Sequence, residues 1–256
     1  MNNIALRPPM LPSRVLVKAN GLLAALPGDA LDRLLPHIEH VKLAAGDTLC
    51  DAGAEMAHAY FPADAIVALM LAVDGHTPIK MALVGCEGVA GISTFMGSKR
   101  PYGSTVVLHH GSAFKIPAAV IQAEFESNGA AMRLLLRYVQ TLVTQMAQTA
   151  VCNRHHVIEQ QLCAWLLTCL DRLTPRGGVA QRSSLSFTQA TVASMLGVRR
   201  EAISEAAGTL RQLGLITATR GRISLLDRPG LQARACECYL VVKRETHRLL
   251  PDREAT

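Results

Sequence analysis

Residues 195–206 read MLGVRREAISEA, and their reading decides what the rest of the chain is for. Gly197 stands between two stretches with helical spacing. Before it, a short helix from Gln189 to Leu196 puts Val192, Ala193 and Leu196 on one side, and Thr188 is a good N-cap because its hydroxyl can accept a free backbone N–H. After it, Ala202, Ile203, Ala206, Ala207 and Leu210 make the inner face of a second helix over about 199–213. Glycine enters the left-handed conformation cheaply, so it can end one helix and redirect the chain into the next. The pattern predicts a helix-turn-helix. Its small inner residues allow a close crossing, and its outer face begins with Arg199, Arg200 and Glu201, followed by Ser204 and Glu205. An exposed helix start also turns free N–H groups and a positive dipole end toward anions.

Just downstream, LITATRGRISL (215–225) reads as two short strands around an Arg220-Gly221-Arg222 turn. A hairpin in this place is a wing over 217–225, with arginines set to reach phosphate. Charge supports the same reading. Residues 1–152 carry 11 Lys/Arg against 11 Asp/Glu, whereas 153–256 carry 15 against 9, so the whole net +6 lies in the C-terminal part. A neutral half joined to a basic half predicts two jobs, the basic one facing a polyanion. DNA readers of this type project the start of the second helix into the major groove.

Working upstream, Asn153 to Leu173 holds a further helix, from about His156, and Thr-Pro-Arg-Gly-Gly ends it. Residues 129–151 read as one long helix without proline. Met132, Leu135, Val139, Leu142 and Met146 step by threes and fours, with Leu136, Val143, Ala147 and Ala150 beside them. So wide an apolar sector could pack on a sheet with one edge and on a second copy of itself with the other; a plain core helix fits the same pattern. From Val41 to Ile116 the texture is different: short β-prone runs (VKL, AYF, AIVALMLAV, IKMALV, STVVLHH, AFKI) separated by glycines, as in an antiparallel roll, with Asp74-Gly75-His76 a good hairpin turn. Residues 21–39 read as short helices broken at Pro27 and Pro36. The expected organisation is α+β: a loose arm over 1–20, a β-roll over 21–128, a dimerisation helix over 129–152 and a winged helix-turn-helix over 153–256.

A glycine-punctuated roll, a long helix and a C-terminal winged helix, in that order, resemble the Crp–Fnr superfamily of bacterial transcription regulators. The likeness is closest in FTQATVASMLGVRREAISEAAGTLRQLGLI and RGRISLLDRPGL. It implies a cytoplasmic homodimer, paired through the long helix, on a two-fold-symmetric site in double-stranded DNA, with RNA polymerase as a further partner. By position, Arg200 and Glu201 match the family's Arg-Glu pair at the start of the recognition helix, and Ser204 a position that contacts base or phosphate. Where well-known members carry arginine, Glu205 stands here; a carboxylate can accept from cytosine N4 but cannot make arginine's two-pronged bond to guanine. The expected DNA-contacting set is Thr188, Gln189, Arg199, Arg200, Glu201, Ser204, Glu205, Arg220 and Arg222.

In the family's cyclic-nucleotide binders a Gly-Glu pair holds ribose and an Arg-Ser pair holds phosphate. The matching stretch runs from Gly85-Cys-Glu-Gly to Gly103. Arg100 falls near the arginine position but is followed by Pro101, and Val89 or Ala90 stands where the glutamate belongs, with Glu87 displaced. The expected effector pocket, Val89, Ala90, Arg100, Tyr102 and Ser104, is therefore half-built, and regulation without cyclic nucleotide is favoured over a non-standard cyclic AMP or cyclic GMP site near 85–104.

No cofactor, metal site or catalytic residue is expected. The first 49 residues hold no cysteine for an iron–sulfur centre, His109-His110 should point to opposite faces of a strand, and His155-His156 make a poor pair. Cys236-x-Cys238, if helical, would be separated by about 200°. The seven cysteines read as reduced thiols. No nucleophile elbow, Walker loop, Rossmann fingerprint or His-Glu-x-x-His occurs, so an enzyme is not expected. The N-terminal stretch lacks a secretory pattern, and no run of eighteen apolar residues predicts a membrane span.

Overall fold

The computed structural model describes residues 12–72, 78–127, 129–174, 183–219 and 221–250. Three short helices come first: α1 (Arg14–Val17), α2 (Gly21–Ala25) and α3 (Gly28–Leu34). Ser13 and Asn20 cap the first two through their side-chain oxygens. Residues 12–20 do not behave as the expected loose arm. Val17 and Asn20 are fully buried, and the Asn20 amide donates to the carbonyls of Pro62 and Gly88. A buried amide satisfied so far along the chain leaves no local sequence pattern. Residues 1–11 lie outside the described residues.

Seven strands follow: β1 (Glu39–Leu43), β2 (Thr48–Cys50), β3 (His58–Pro62), β4 (Ile66–Leu71), β5 (Ile79–Val84), β6 (Ser104–His109) and β7 (Gly111–Pro117). They form two antiparallel sheets, ordered β1-β7-β3 and β2-β6-β4-β5. The apolar runs predict six of them. The seventh, β2, is three residues long and pairs with distant β6. β4 and β5 pair as the expected hairpin, Leu71 opposite Ile79, although the Asp74-Gly75-His76 turn itself lies outside the described residues.

Ala59, Phe61, Phe114 and Ile116 of one sheet share a core with Val67, Ala82, Val84 and Val107 of the other. The opposite face of the larger sheet is also covered. Ile66, Ala68, Met70, Leu83 and Leu108 belong to a second core, shared with the C-terminal helices. This explains the unbroken run AIVALMLAV: a strand buried on both sides needs no polar alternation.

After α4 (Ala118–Glu126) comes the long helix α5 (Ala130–His155). It lays Ala131, Leu134, Leu135, Tyr138 and Leu142 on the roll and runs past the boundary expected near 152. The C-terminal module is α6 (Ile158–Leu173), β8 (Ser184–Leu185), α7 (Gln189–Leu196), α8 (Arg200–Gln212), β9 (Ile216–Thr219), β10 (Arg222–Leu225), α9 (Arg228–Arg234) and α10 (Glu237–Leu249). β8, β10 and β9 make a small antiparallel sheet. α10 returns along α5, with Leu250 entering the roll's core and Gln140 bonded to Glu245 at 3.4 Å.

Candidate nucleic-acid interface

The turn between α7 and α8 is built as the sequence predicts. Thr188 is extended, and its Oγ1 accepts from Thr191 N–H at 3.0 Å. Gly197 is left-handed, with φ 66°, and a Cβ there would meet nothing within 4 Å. The Val198 N–H returns to the Ala193 carbonyl at 3.0 Å, closing the first helix. Arg199 is the extended residue before α8, and its side chain does not cap the helix. The N–H groups of the first turn of α8 therefore stay available to an outside acceptor.

Ile203, Ala206, Ala207 and Leu210 are buried, while Arg199, Arg200, Glu201 and Glu205 are exposed. Ser204 is half-buried, and its hydroxyl donates to Gln189 Oε1 at 2.8 Å. Two expected contact residues are thus joined across the crossing, which orients the Gln189 carboxamide. In the wing, Arg222 is exposed and pairs in register with Thr219. Arg220 lies outside the described residues.

The expected effector pocket is only partly assembled. Arg100, Tyr102 and Ser104 line a cavity of about 410 Å³. Val89 and Ala90 do not: Val89 is fully buried in the roll's core, and Ala90 exchanges backbone bonds with Tyr60. The cavity wall is instead thioether-rich, with Met56, Met70, Met81, Met96 and Met146. No acidic side chain occurs among the described residues that line it. Arg100 donates to the Gly53 carbonyl at 3.2 Å, and Tyr102 is 88% exposed at the rim.

The Gly85-Cys-Glu-Gly stretch serves another purpose. Glu87 pairs with Arg172 of α6 at 2.8 Å, and the Cys86 N–H donates to the Arg172 carbonyl at 2.9 Å. A Cβ on Gly85 would sit 2.4 Å from Arg172, and one on Gly88 would sit 2.2 Å from the Tyr138 ring. Burial opposes the Arg172 charge, yet the Glu87 carboxylate it pairs with, together with Tyr138 and Cys86, raises the guanidinium's pKa. This loop fastens the roll to the C-terminal module.

On α5 the structure corrects the expected dimer contacts. Leu135 and Leu142 are buried in their own chain's core, and Met146 lines the cavity, because that side of the helix faces the roll. Met132 and Val139 are half-buried. The exposed edge is Leu136, Gln140, Val143, Ala147 and Ala150, stepping by four and three as a coiled-coil seam does.

The histidine expectation changes too. His109 and His110 stack face to face with centroids 4.7 Å apart rather than pointing to opposite faces, because β6 ends at His109. Cys236 and Cys238 also depart from expectation. Cys236 precedes α10 in extended conformation, so helical spacing does not separate the two, and they meet Cys152 and His156 of α5. The overlooked signal is Cys152-x-x-x-His156: Cys152 stands in the last turn of α5 and His156 is the extended residue that ends it, whereas the sequence reading pairs His156 with His155.

No helix among the described residues is long and apolar enough to cross a membrane. The Crp-like helix-turn-helix domain matches residues 160–234. Among curated proteins, none matches the sequence. Among solved structures, FixK2 from Bradyrhizobium japonicum is similar with a TM-score of 0.63 and 12% identity over 78% of this chain and 98% of its own. A CRP-family transcriptional regulator from Thermus thermophilus is similar with a TM-score of 0.60 and 17% identity, over 76% of this chain and 96% of its own. CLP of Xanthomonas campestris, a global regulator responsive to c-di-GMP, has a TM-score of 0.58 and 14% identity over 78% and 100%.

Proposed function

We propose that this chain, a Crp–Fnr superfamily DNA-binding transcription regulator, acts as a homodimer that reads a two-fold-symmetric duplex site without needing a cyclic nucleotide. One observation carries the DNA reading: within a Crp-like helix-turn-helix domain, the start of α8 is exposed and uncapped, with Arg199 and Arg200 at its mouth. In this reading Arg199 and Arg200 take phosphate or guanine, Glu201 accepts from cytosine, and Glu205 does the same or turns away. Thr188, Gln189 and Ser204 contact backbone or base edge. Arg222, with Arg220, grips phosphate from the wing. RNA polymerase is the further partner such a DNA-bound dimer meets.

The exposed Leu136–Ala150 edge of α5 supports the dimer, since Leu136, Val143, Ala147 and Ala150 leave a largely apolar strip facing solvent, with Gln140, held by Glu245, the polar position within it. The pairing of Glu87 with Arg172 and the methionine-lined cavity support independence from cyclic nucleotides: no carboxylate lines the cavity among the described residues, and the wall suits an apolar or soft ligand. Arg100 at the cavity favours the alternative reading, a nucleotide-responsive regulator whose phosphate sits there.

The test is selection of genomic fragments by the purified protein, then salt-dependent binding to the enriched site with and without cyclic AMP, cyclic GMP or c-di-GMP. Salt-sensitive, nucleotide-independent binding by a dimer is expected. Binding only with one nucleotide, lost in Arg100→Ala, selects the alternative; no retention of any fragment removes both. Val143→Asp should give a monomer by light scattering and lose the cooperative complex on the symmetric site.

A further inference from the structure

Where α5 ends and α10 begins, four side chains from distant parts of the chain converge. Cys152 and His156 come from the last turn and end of α5, and Cys236 and Cys238 from the start of α10. Their donor atoms all lie within 4.8 Å of one another, the one such group of three or more found among the described residues. Cys152 Sγ is 3.5 Å from Cys236 Sγ, and Cys238 Sγ is 3.6 Å from His156 Nδ1. Cys236 and Cys238 are buried, and the His156 side chain is 12% exposed.

The 3.5 Å S···S and 3.6 Å S···N spacings are close to the edges of a small tetrahedron, and the whole group lies within 4.8 Å. With zinc bonds of about 2.3 Å to sulfur and about 2.0 Å to nitrogen, the S···S edge is about 3.8 Å and the S···N edge about 3.5 Å. We propose that Cys152, His156, Cys236 and Cys238 form a mononuclear zinc site that ties the end of the central helix to the C-terminal helix. Three thiolates and an imidazole are the donor set of a closed structural zinc centre, and they disfavour the hard cations that prefer oxygen. An iron–sulfur cluster would spread its cysteines over several irons, whereas these four donors all lie within 4.8 Å of one another.

The surroundings are built for the same task. His156 turns Nδ1 to the cysteines, while its Nε2 lies 3.2 Å from Glu237 Oε1. A carboxylate on the far ring nitrogen is what fixes a ligating histidine's tautomer and angle. Gln161 donates to the carbonyls of Cys152 and His156, holding the end of α5 in shape. Three thiolates around a divalent ion leave one negative charge. The N-terminal end of α10 faces it, and Lys80 lines the small cavity that Cys152 and Cys238 share. Binding releases three thiol protons to solvent, so affinity rises with pH. Because α10 follows the winged helix, the ion would clamp the whole C-terminal module to α5.

The experiment is metal analysis of the full-length protein purified under reducing conditions, followed by replacement with Co²⁺. One zinc per chain is expected, with the intense visible bands of tetrahedral cobalt and a thiolate charge-transfer band. Cys238→Ser should lose or displace those bands, and exposed Glu237→Gln should bind zinc about ten- to a hundred-fold more weakly in a competition with chelator. Cys50→Ser, far from the cluster, should leave them unchanged. Should Cys238→Ser not fold, the wild-type cobalt spectrum and the Glu237→Gln titration decide alone. Octahedral cobalt spectra, zinc content unchanged in Cys238→Ser, or a Cys152–Cys236 disulfide whose reduced form takes up no metal would each overturn the proposal. Metal is read without DNA, so a failure of DNA binding leaves this result standing.

Discussion

Two glycine turns in this chain are made of similar residues and end in opposite roles. The turn at Gly197 opens outward: its glycine supplies a left-handed angle in open space, and the arginines and carboxylates after it reach solvent. The Gly85–Gly88 loop closes inward. Its glycines are needed because Arg172 and Tyr138 press on them, and its one carboxylate is spent on a buried guanidinium. The outward turn is a local device that meets a partner. The inward loop has the sequence of a ligand loop and works as a joint between modules.

The comparison breaks most visibly at Glu87. Glu87→Leu leaves the buried Arg172 charge unpaired, and should lower unfolding free energy by about 3–5 kcal/mol in denaturant melts. Adding Arg172→Met should restore much of it. If instead Glu87→Leu left stability intact and abolished a nucleotide response, the loop would be a ligand loop after all. Next comes the outward turn. Glu201→Ala should cost about 1–3 kcal/mol on the selected site and little on a scrambled one, measured by fluorescence anisotropy. Equal losses on both would remove its role in base choice. Gly197→Ala forces an L residue into the left-handed region and should cost about 1 kcal/mol in thermal unfolding, with no clash to add. The smallest effect belongs to the wing. Arg222→Ala should weaken every sequence alike and reduce the slope of log affinity against log salt by about 1.

The helix-turn-helix was legible because each of its signals is local. Thr188 caps, Gly197 turns, and the alanines of α8 repeat at helical spacing within a few residues of one another. Six of the roll's strands were legible from their apolar runs for the same reason. What escaped was long-range. Leu135 and Leu142 share the helical stripe with Val139, but only the position of the sheet shows which side of α5 is already covered. Val89 and Ala90 align with a pocket position, yet Ala90 is tied by backbone bonds to Tyr60 and Val89 is buried in the roll's core. Cys152 and His156 at the end of α5 and Cys236 and Cys238 at the start of α10 are far apart along the chain, and only the return of α10 along α5 brings them together.

The amino-acid order alone determined the α+β architecture, the winged module and the concentration of positive charge around it, since propensity, capping and composition act over short spans. Tertiary structure alone decided which charges face outward, which side of the central helix stays bare and which thiols meet. Those outcomes depend on what each side chain packs against, and its neighbours in space are seldom its neighbours in sequence.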